Sequence, residues 1–486
     1  MKKETILLAM LATATMASAQ KEESGSTQTA DSLLTTWQDS IQAVTVTGHR
    51  PMYKMKDGAL ITHVRNTPLA KEPTWEDILK HIPGMKQSQD GTFEVSGLGA
   101  PTIYLNDKKA TSAELSHLDI KQIEDIELIT TPGAQYDATT GAVLRIVMRR
   151  RDEGIFGKVQ AYDKLSEVNT TNEDITLGYT NQKFSISGFY GYQDDRYNVH
   201  QPQEAIVRAT DGEYLFGANR LGKNKAYANA SEINFDWLLG KQHEIGAQWE
   251  GLWLSGGRSE KQSQYYRNPG EDMKYFDAES QQWAHSRQNH FNLFHLGKWS
   301  PSLSSQLYLD YVKNTDNDTQ PIDETEGDEK RTTLNSSHTN YDIYSARLNI
   351  KLLLGKQHAI NYGGEWSLTD GKGNTSSSSD KLGTTEYKNH DTKAAVFLQY
   401  QGSAGKWTWS AGIRYEHLTS RFTNLLDAES NMSRTYDQWF PSFSISLNEP
   451  SWHHSLNFRT TTSRPSFSQL SGNIYYISRY QYQISN

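Results

Sequence analysis

Histidine, carboxylate and serine are the residue types here that could do chemistry, since the chain has no cysteine. His285, His290 and His295 look like a cluster. On a strand, spacing by five puts neighbours on opposite faces, and ten residues separate His285 from His295 by about 33 Å. That spacing makes no metal site. His453 and His454 point apart for the same reason. No Gly-x-Ser-x-Gly nucleophile elbow occurs, so no catalytic residue is assigned and no enzyme is expected. Without cysteine there is neither a disulfide framework nor a thiolate metal site. The acidic stretch "TDNDTQPIDETEGDEK" (315–330) could take Ca²⁺ or attract a cationic ligand. It lacks EF-hand spacing, and a solvated loop is the expected reading. Tyr265, Tyr266, Tyr275 and Phe276, also expected in a loop, could stack on a sugar or chelate. No cofactor is implied, and no basic stripe suggests nucleic acid.

The elements that carry these residues alternate with period two. "SARLNIKLLL" sets Ala346, Leu348, Ile350 and Leu352 against Ser345, Arg347, Asn349 and Lys351. "EINFDWL" sets Ile233, Phe235 and Trp237 against Glu232, Asn234 and Asp236. "TWSAGIRYEHL" and "HSLNFRT" repeat the pattern, the first with Arg414 and Glu416 on its polar side. Such alternation marks strands with one apolar face. Apolar residues are only 36% of the chain while aromatics reach 11%, which suits strands greasy on one side and wet on the other.

The connections choose between a soluble sandwich and a membrane barrel. Tight turns recur at 180–183, 240–243, 300–303, 355–358, 403–406 and 449–452, and two of them read "LLGKQH". Long polar stretches at 194–225, 256–282, 315–337 and 369–390 lie between and are expected to be loops. Short turns alternating with long loops are the asymmetry of an outer-membrane barrel, with the short turns periplasmic. Tyr190, Tyr192, Trp237, Trp299, Tyr400, Trp409, Tyr415 and Trp452 would then form interface girdles. The pattern gives about 13 strands over 151–486. An odd number ending on the extracellular side does not close, so the expectation is a partial barrel, roughly nine strands short of about 22.

Residues 1–19 read as a secretory signal, with a basic start, an apolar run and Ala17-Ser18-Ala19. No later run approaches the ~18 apolar residues of a membrane helix. Residues 20–41 are mostly polar and read as a flexible periplasmic lead. Residues 42–150 change character: "PTWEDILKHIPGM" predicts a short helix capped by Thr74, and "GTFEVSGLGAPTIYLNDKKA" a hairpin and turn. "SAELSHLDIKQIEDIELIT" predicts a second helix leading into a strand, and "TPGAQYDATTGAVLRIVMRR" a loop and a closing strand. The expected fold is mainly β: a small α+β domain followed by an antiparallel transmembrane β-barrel.

Several of these stretches resemble TonB-dependent outer-membrane receptors. "QAVTVTGHRP" resembles the energy-coupling box, and "TPGAQYDATTGAVLRIVMRR" is similar to the family's plug signature. "ILKHIPGM", "IYLNDKKA" and "IEDIELITTPGA" are similar to further plug motifs in order, and "RPSFSQL" (464–470) to a late-barrel motif of the Bacteroidetes-type branch. The likeness is motif by motif in the plug and only architectural in the barrel. Two features depart from it. "LNDKKA" stands where the family more often has Asn-Gly-Arg, and 20–41 is too short for the extra domain many relatives carry before the plug.

The resemblance implies a plug over 42–150 and an energy-coupled uptake receptor in the bacterial outer membrane. Ala43, Val44, Thr45, Val46, Thr47 and Gly48 would contact a TonB-type periplasmic protein by adding a strand to it. Pro132, Gly133, Tyr136, Asp137 and Gly141 would be structural residues of the plug motif. The implied partners are that coupling protein, outer-membrane lipid and an extracellular nutrient, with room for a surface lipoprotein. Siderophore, haem, cobalamin, glycan and peptide all remain open as the nutrient. The alternative function is a surface binding or adhesion protein that uses a plugged barrel as a platform without transport.

Overall fold

The computed structural model describes residues 51–464, apart from 57, 89–90, 166–167, 380–382 and 450–451, together with the backbone of two short strands, Ile474–Ser478 and Gln481–Ile484. The signal and lead segments, the coupling-box residues Ala43–Gly48 and residues 465–470 of "RPSFSQL" lie outside this description.

The first part is the α+β domain. Its strands are β1 (Tyr53–Lys56), β2 (Ala59–His63), β3 (Met85–Gln87), β4 (Phe93–Val95), β5 (Thr102–Leu105), β6 (Lys108–Lys109), β7 (Ile123–Ile129) and β8 (Val143–Met148). Six of them form one sheet in the order β1-β2-β7-β8-β5-β6, and β3 pairs with β4. Thr74 caps the helix Trp75–Leu79 by accepting from the Asp77 N–H at 3.2 Å, as its position before an apolar-spaced run predicts. The second helix, Ser112–Ser116, begins with a capping box between Thr111 and Glu114. Val64, Ile78, Leu79, Ile126, Leu144 and Ile146 fill a core between the helix Trp75–Leu79 and the sheet. One expectation needs correcting: "GTFEV" and "TIYL" do not pair with each other. β4 folds back on β3, and β5 runs parallel to β8. The apolar partners of β5 are supplied by β8, far along the chain, so tertiary packing overrides the local hairpin pattern.

The second part is one antiparallel sheet of thirteen strands in unbroken sequence order. They are β9 (Gly154–Lys164), β10 (Thr170–Thr180), β11 (Phe184–Ala209), β12 (Gly212–Leu239), β13 (His243–Arg267), β14 (Lys274–Lys298) and β15 (Leu303–Glu326). There follow β16 (Glu329–Leu354), β17 (His358–Ser377), β18 (Thr385–Ala404), β19 (Trp407–Asn424), β20 (Met432–Asn448) and β21 (His453–Arg459). All six expected tight turns fall between strands. Gly240, Gly355 and Gly405 hold φ of 72°, 77° and 58° there, a conformation glycine adopts without strain. Among the described residues β9 and β21 do not pair with each other.

The long polar loops are the larger correction. Most of 194–225 and 315–337 is strand: β11 and β12 stay in register from Phe184↔Trp237 to Ala209↔Gly212, and β15 and β16 run to Glu326↔Glu329. Only ~9–11 residues are needed to cross a bilayer, so the 25 residues of β13 and the 28 of β12 rise far beyond it. Both faces are wet there, and alternation among polar residues leaves no hydropathy signal. Tyr265 and Tyr275 accordingly stand outward, 6.3 Å apart, on paired strands, while Tyr266 and Phe276 are buried on the inner face at 6.0 Å. Asp318 accepts from Gln282 at 2.6 Å within the sheet instead of standing in a free loop.

The lower half of the sheet is inside-out. Ile233, Leu293, Val396, Ile413 and Trp439 are exposed on the outer face. Glu250, Asn292, Gln399, Arg414 and Glu416 are buried on the inner one. On β15 the outward band runs from Leu303 to Tyr311, about 27 Å of strand and some 20 Å of height at a ~40° tilt. Aromatics bound it at both ends, Trp299 and Trp409 near the short turns and Tyr311, Tyr344, Tyr415 and Trp439 above. This is the lipid-facing band of a membrane barrel wall.

Candidate functional site

The inner face of the wall wraps the α+β domain. Contacts reach it from β11 at one side, where Phe189 stacks on His117 at 3.9 Å, to β21 at the other, where Arg459 Nη2 donates to the Asp137 carbonyl at 3.1 Å. The seam between them is almost wholly polar, and it is the candidate site.

One half of the seam is the loop that carries the plug-like signature. Pro132 is buried at its start, and the Tyr136 N–H donates to the Gly133 carbonyl at 3.1 Å. Ala134 N–H donates to Gln399 Oε1 on β18 at 2.9 Å. A Cβ on Gly133 would sit 2.2 Å from that same oxygen, so a larger residue here would push the Gln399 amide aside. Gly141 likewise leaves room for the Leu98 carbonyl, which a Cβ would meet at 2.5 Å. Tyr136 packs edge-on against Tyr104 at 5.3 Å, and burial pushes its phenol up to about 12.

Asp137 is the centre of a buried ion network. It pairs with Lys393 of β18, which also meets Glu365 of β17 at 2.8 Å. Arg414 of β19 bonds Glu365 at 3.0 Å and Glu416 at 2.6 Å, and Arg464 caps Glu416 at 2.7 Å. Ala138 N–H also donates to Glu416 Oε1, at 3.3 Å. Burial alone would raise the Asp137 carboxyl, but Lys393 and two hydrogen bonds from Thr139 hold it well below the usual carboxylate range. The structure thus places all five signature residues in one loop, and that loop makes one half of the contact with the wall.

The other half lies along 106–117. Lys108 bridges Glu114 of its own domain and Gln248 of β13, and Gln248 Nε2 donates to Glu114 at 2.9 Å. Thr111 donates to Glu250 at 2.5 Å, and His117 pairs with the buried Glu232 of β12 at 3.4 Å. Asp107 accepts from Gln306 of β15 at 2.6 Å, and its carbonyl accepts from Arg347 of β16.

The sequence pattern puts Arg459 on the polar side of "HSLNFRT" but singles out none of the wall residues Glu365, Lys393 or Gln399. A signal for them existed. Arg414 and Glu416 fall on the polar side of a membrane-length strand, and a charge at that depth must face the interior. The histidines go where spacing predicts: His290 is inward on Asp310 at 2.9 Å, whereas His295 is outward beside His243. His453 bonds Asn448 at 2.8 Å while His454 stacks on Trp452, on opposite faces. Among the described residues no group of acids and histidines is arranged to hold a metal.

A lipid-facing sheet with a wet interior, filled by a domain with its own core, defines a bacterial outer-membrane β-barrel protein. Residues 302–486 match the model of the outer membrane protein beta-barrel family. No curated protein matches the chain. Among solved structures, the ferric enterobactin receptor of Pseudomonas aeruginosa (a mutant) aligns at 9% identity and TM-score 0.33, over 83% of this chain and 92% of that one. The ferric yersiniabactin uptake receptor of Yersinia pestis aligns at 8% and 0.34, over 82% and 85%. A ferric citrate transporter aligns at 11% and 0.33, over 83% and 84%.

Proposed function

We propose that this protein is a TonB-dependent receptor that binds a scarce nutrient at its outer face and admits it when the plug is displaced. The observation that carries the reading is the chemistry of the seam. An independently cored domain fills the wall, yet it is fastened by ion pairs and hydrogen bonds such as Asp137–Lys393 and Thr111–Glu250. When such a seam parts, water can replace each partner. An apolar seam would expose greasy surface and resist opening. The plug can therefore move without unfolding the wall.

The outer membrane has no ATP, so force must arrive from a periplasmic partner. Ala43–Gly48 is the segment for it to grip, four residues ahead in sequence of β1, an exposed edge strand of the plug. The protein performs no covalent chemistry in this reading. Its substrate belongs among siderophores, haem, cobalamin, glycans or peptides, and a surface lipoprotein could assist capture. Deleting 43–48 should abolish energised uptake and leave binding to whole cells intact. Unchanged uptake would sink the reading and favour the adhesion alternative, in which function survives the deletion.

A further inference from the structure

We propose that the plug rocks instead of leaving: it stays latched at Asp137 and parts from the wall along residues 107–117, where a small solute slips into a water-filled hollow facing the periplasm. The uptake reading supplies only the force that does the rocking. Beneath 107–117 lies a cavity of about 470 Å³ between plug and wall. Lys108 and His117 line it from the plug, and Glu232, Asp236 and Glu244 from the wall. Among the described residues Asp236 and Glu244 make no hydrogen bond or ion pair, and two bare carboxylates keep the cavity wet. Arg150, itself exposed, lines the same cavity and donates to the Asn181 carbonyl at 3.2 Å, in the short turn 180–183. The cavity therefore opens at the periplasmic end. Its volume falls in the range of about 300–1,000 Å³ that single small molecules occupy, so it suits a compact solute.

The closure above this cavity is thin. On β13, Glu244 and Gln248 line the cavity, and Gln248 and Glu250 bond the plug. Leu254, on the same inner face, is already 41% exposed. On the latch side the closure is deep. Lys393 bonds Asp137, Gln399 bonds Ala134, and Ala395 and Phe397 between them on β18 are 4% and 6% exposed. Arg459 adds its bonds to the carbonyls of Asp137 and Thr140. The hollow beside Gly133 is smaller, about 100 Å³. Water standing under 107–117 can rehydrate each polar group as its bond parts, whereas the latch must part from a dry wall.

The sheet of the plug has the leverage for this motion. Its order is β1-β2-β7-β8-β5-β6, and the latch loop joins the two central strands, β7 and β8. The pull arrives at one edge, β1, and the segment over the cavity hangs from the other, β6. A sheet pinned at its middle and pulled at one edge lifts the opposite one. Lys108 and the capping box of Thr111 with Glu114 hold that segment together as it moves.

The test that needs no uptake is hydrogen exchange of the purified full chain in detergent, read at hydrogen-bonded amides on both sides of the seam. Those of Ala110, Thr111 and Leu115 should exchange at least about tenfold faster than those of Ala134, Ala138 and Thr140, the ratio that a modestly smaller opening free energy gives. Glu250→Gln should speed the first set and leave the second unchanged. Equal protection of the two sets, or a shared acceleration in Glu250→Gln, would overturn the proposal. In cells, single cysteines in this cysteine-free chain report the same motion to a small sulfonated methanethiosulfonate. Gln248→Cys should label faster when the inner membrane is energised, Ala395→Cys should not, and deleting 43–48 should remove the rise. A matching rise at Ala395→Cys would mean that the plug leaves whole, which also overturns the proposal. No rise at either position would count against the uptake reading alone, and the exchange ratio would still decide where the plug opens.

Discussion

The plug and the wall bury opposite things. In the plug the fully buried side chains include Ile78, Ile126, Leu144 and Ile146, packed around a sheet. In the wall they include Arg414 and Glu416, at 1% and 0% exposure, while Leu293 and Trp439 stand 54% and 63% exposed. One chain folds by two rules because it has two solvents. The plug excludes water from an apolar core. The wall turns its apolar face to lipid and must satisfy every polar group within its own ladder or across the seam. In the proposed uptake cycle, a plug with an apolar outer face would resist release, because parting it from the wall would cost apolar burial.

Plug and wall differ most at Arg414. Arg414→Leu leaves Glu365 and Glu416 buried without their shared partner, and should destabilise by about 3–5 kcal/mol, read by thermal unfolding in detergent. A loss under about 1 kcal/mol would mean the wall tolerates buried charge as water does. Next, Ile126→Ala should cost the plug about 3 kcal/mol through a cavity. Enlargement tests the two rules at matched positions. Ile126→Phe should cost about 1–3 kcal/mol by overpacking, while Leu293→Phe, facing lipid, should fall within about 0.5 kcal/mol. Similar costs at both sites would erase the difference between plug and wall.

Acid sharpens it further. The folded Asp137 carboxyl lies below its unfolded value of about 3.9. Its pairing with Lys393 therefore contributes fully above that value and is lost only as pH falls through the lower folded one. Protease protection of the plug should hold from neutral pH to about pH 4 and weaken only below. Release near pH 6 would show that Asp137 is not the group holding the latch.

Much of this was legible from residue order. The six tight turns, the strand count, the Thr74 cap and the inward turn of Arg414 and Glu416 follow from period-two alternation, glycine punctuation and capping chemistry, all of them local. The long strands above the membrane were not legible, because polar residues alternating with polar residues carry no hydropathy contrast. Nor was the parallel pairing of β5 with β8, which depends on residues forty positions apart. The sequence by itself determined which side of each strand is wet and which is greasy. Only the tertiary structure decided that the loop Pro132–Gly141 meets Lys393, Gln399 and Arg459, because a contact between distant segments is set by how the sheet curves around the plug and not by any local pattern.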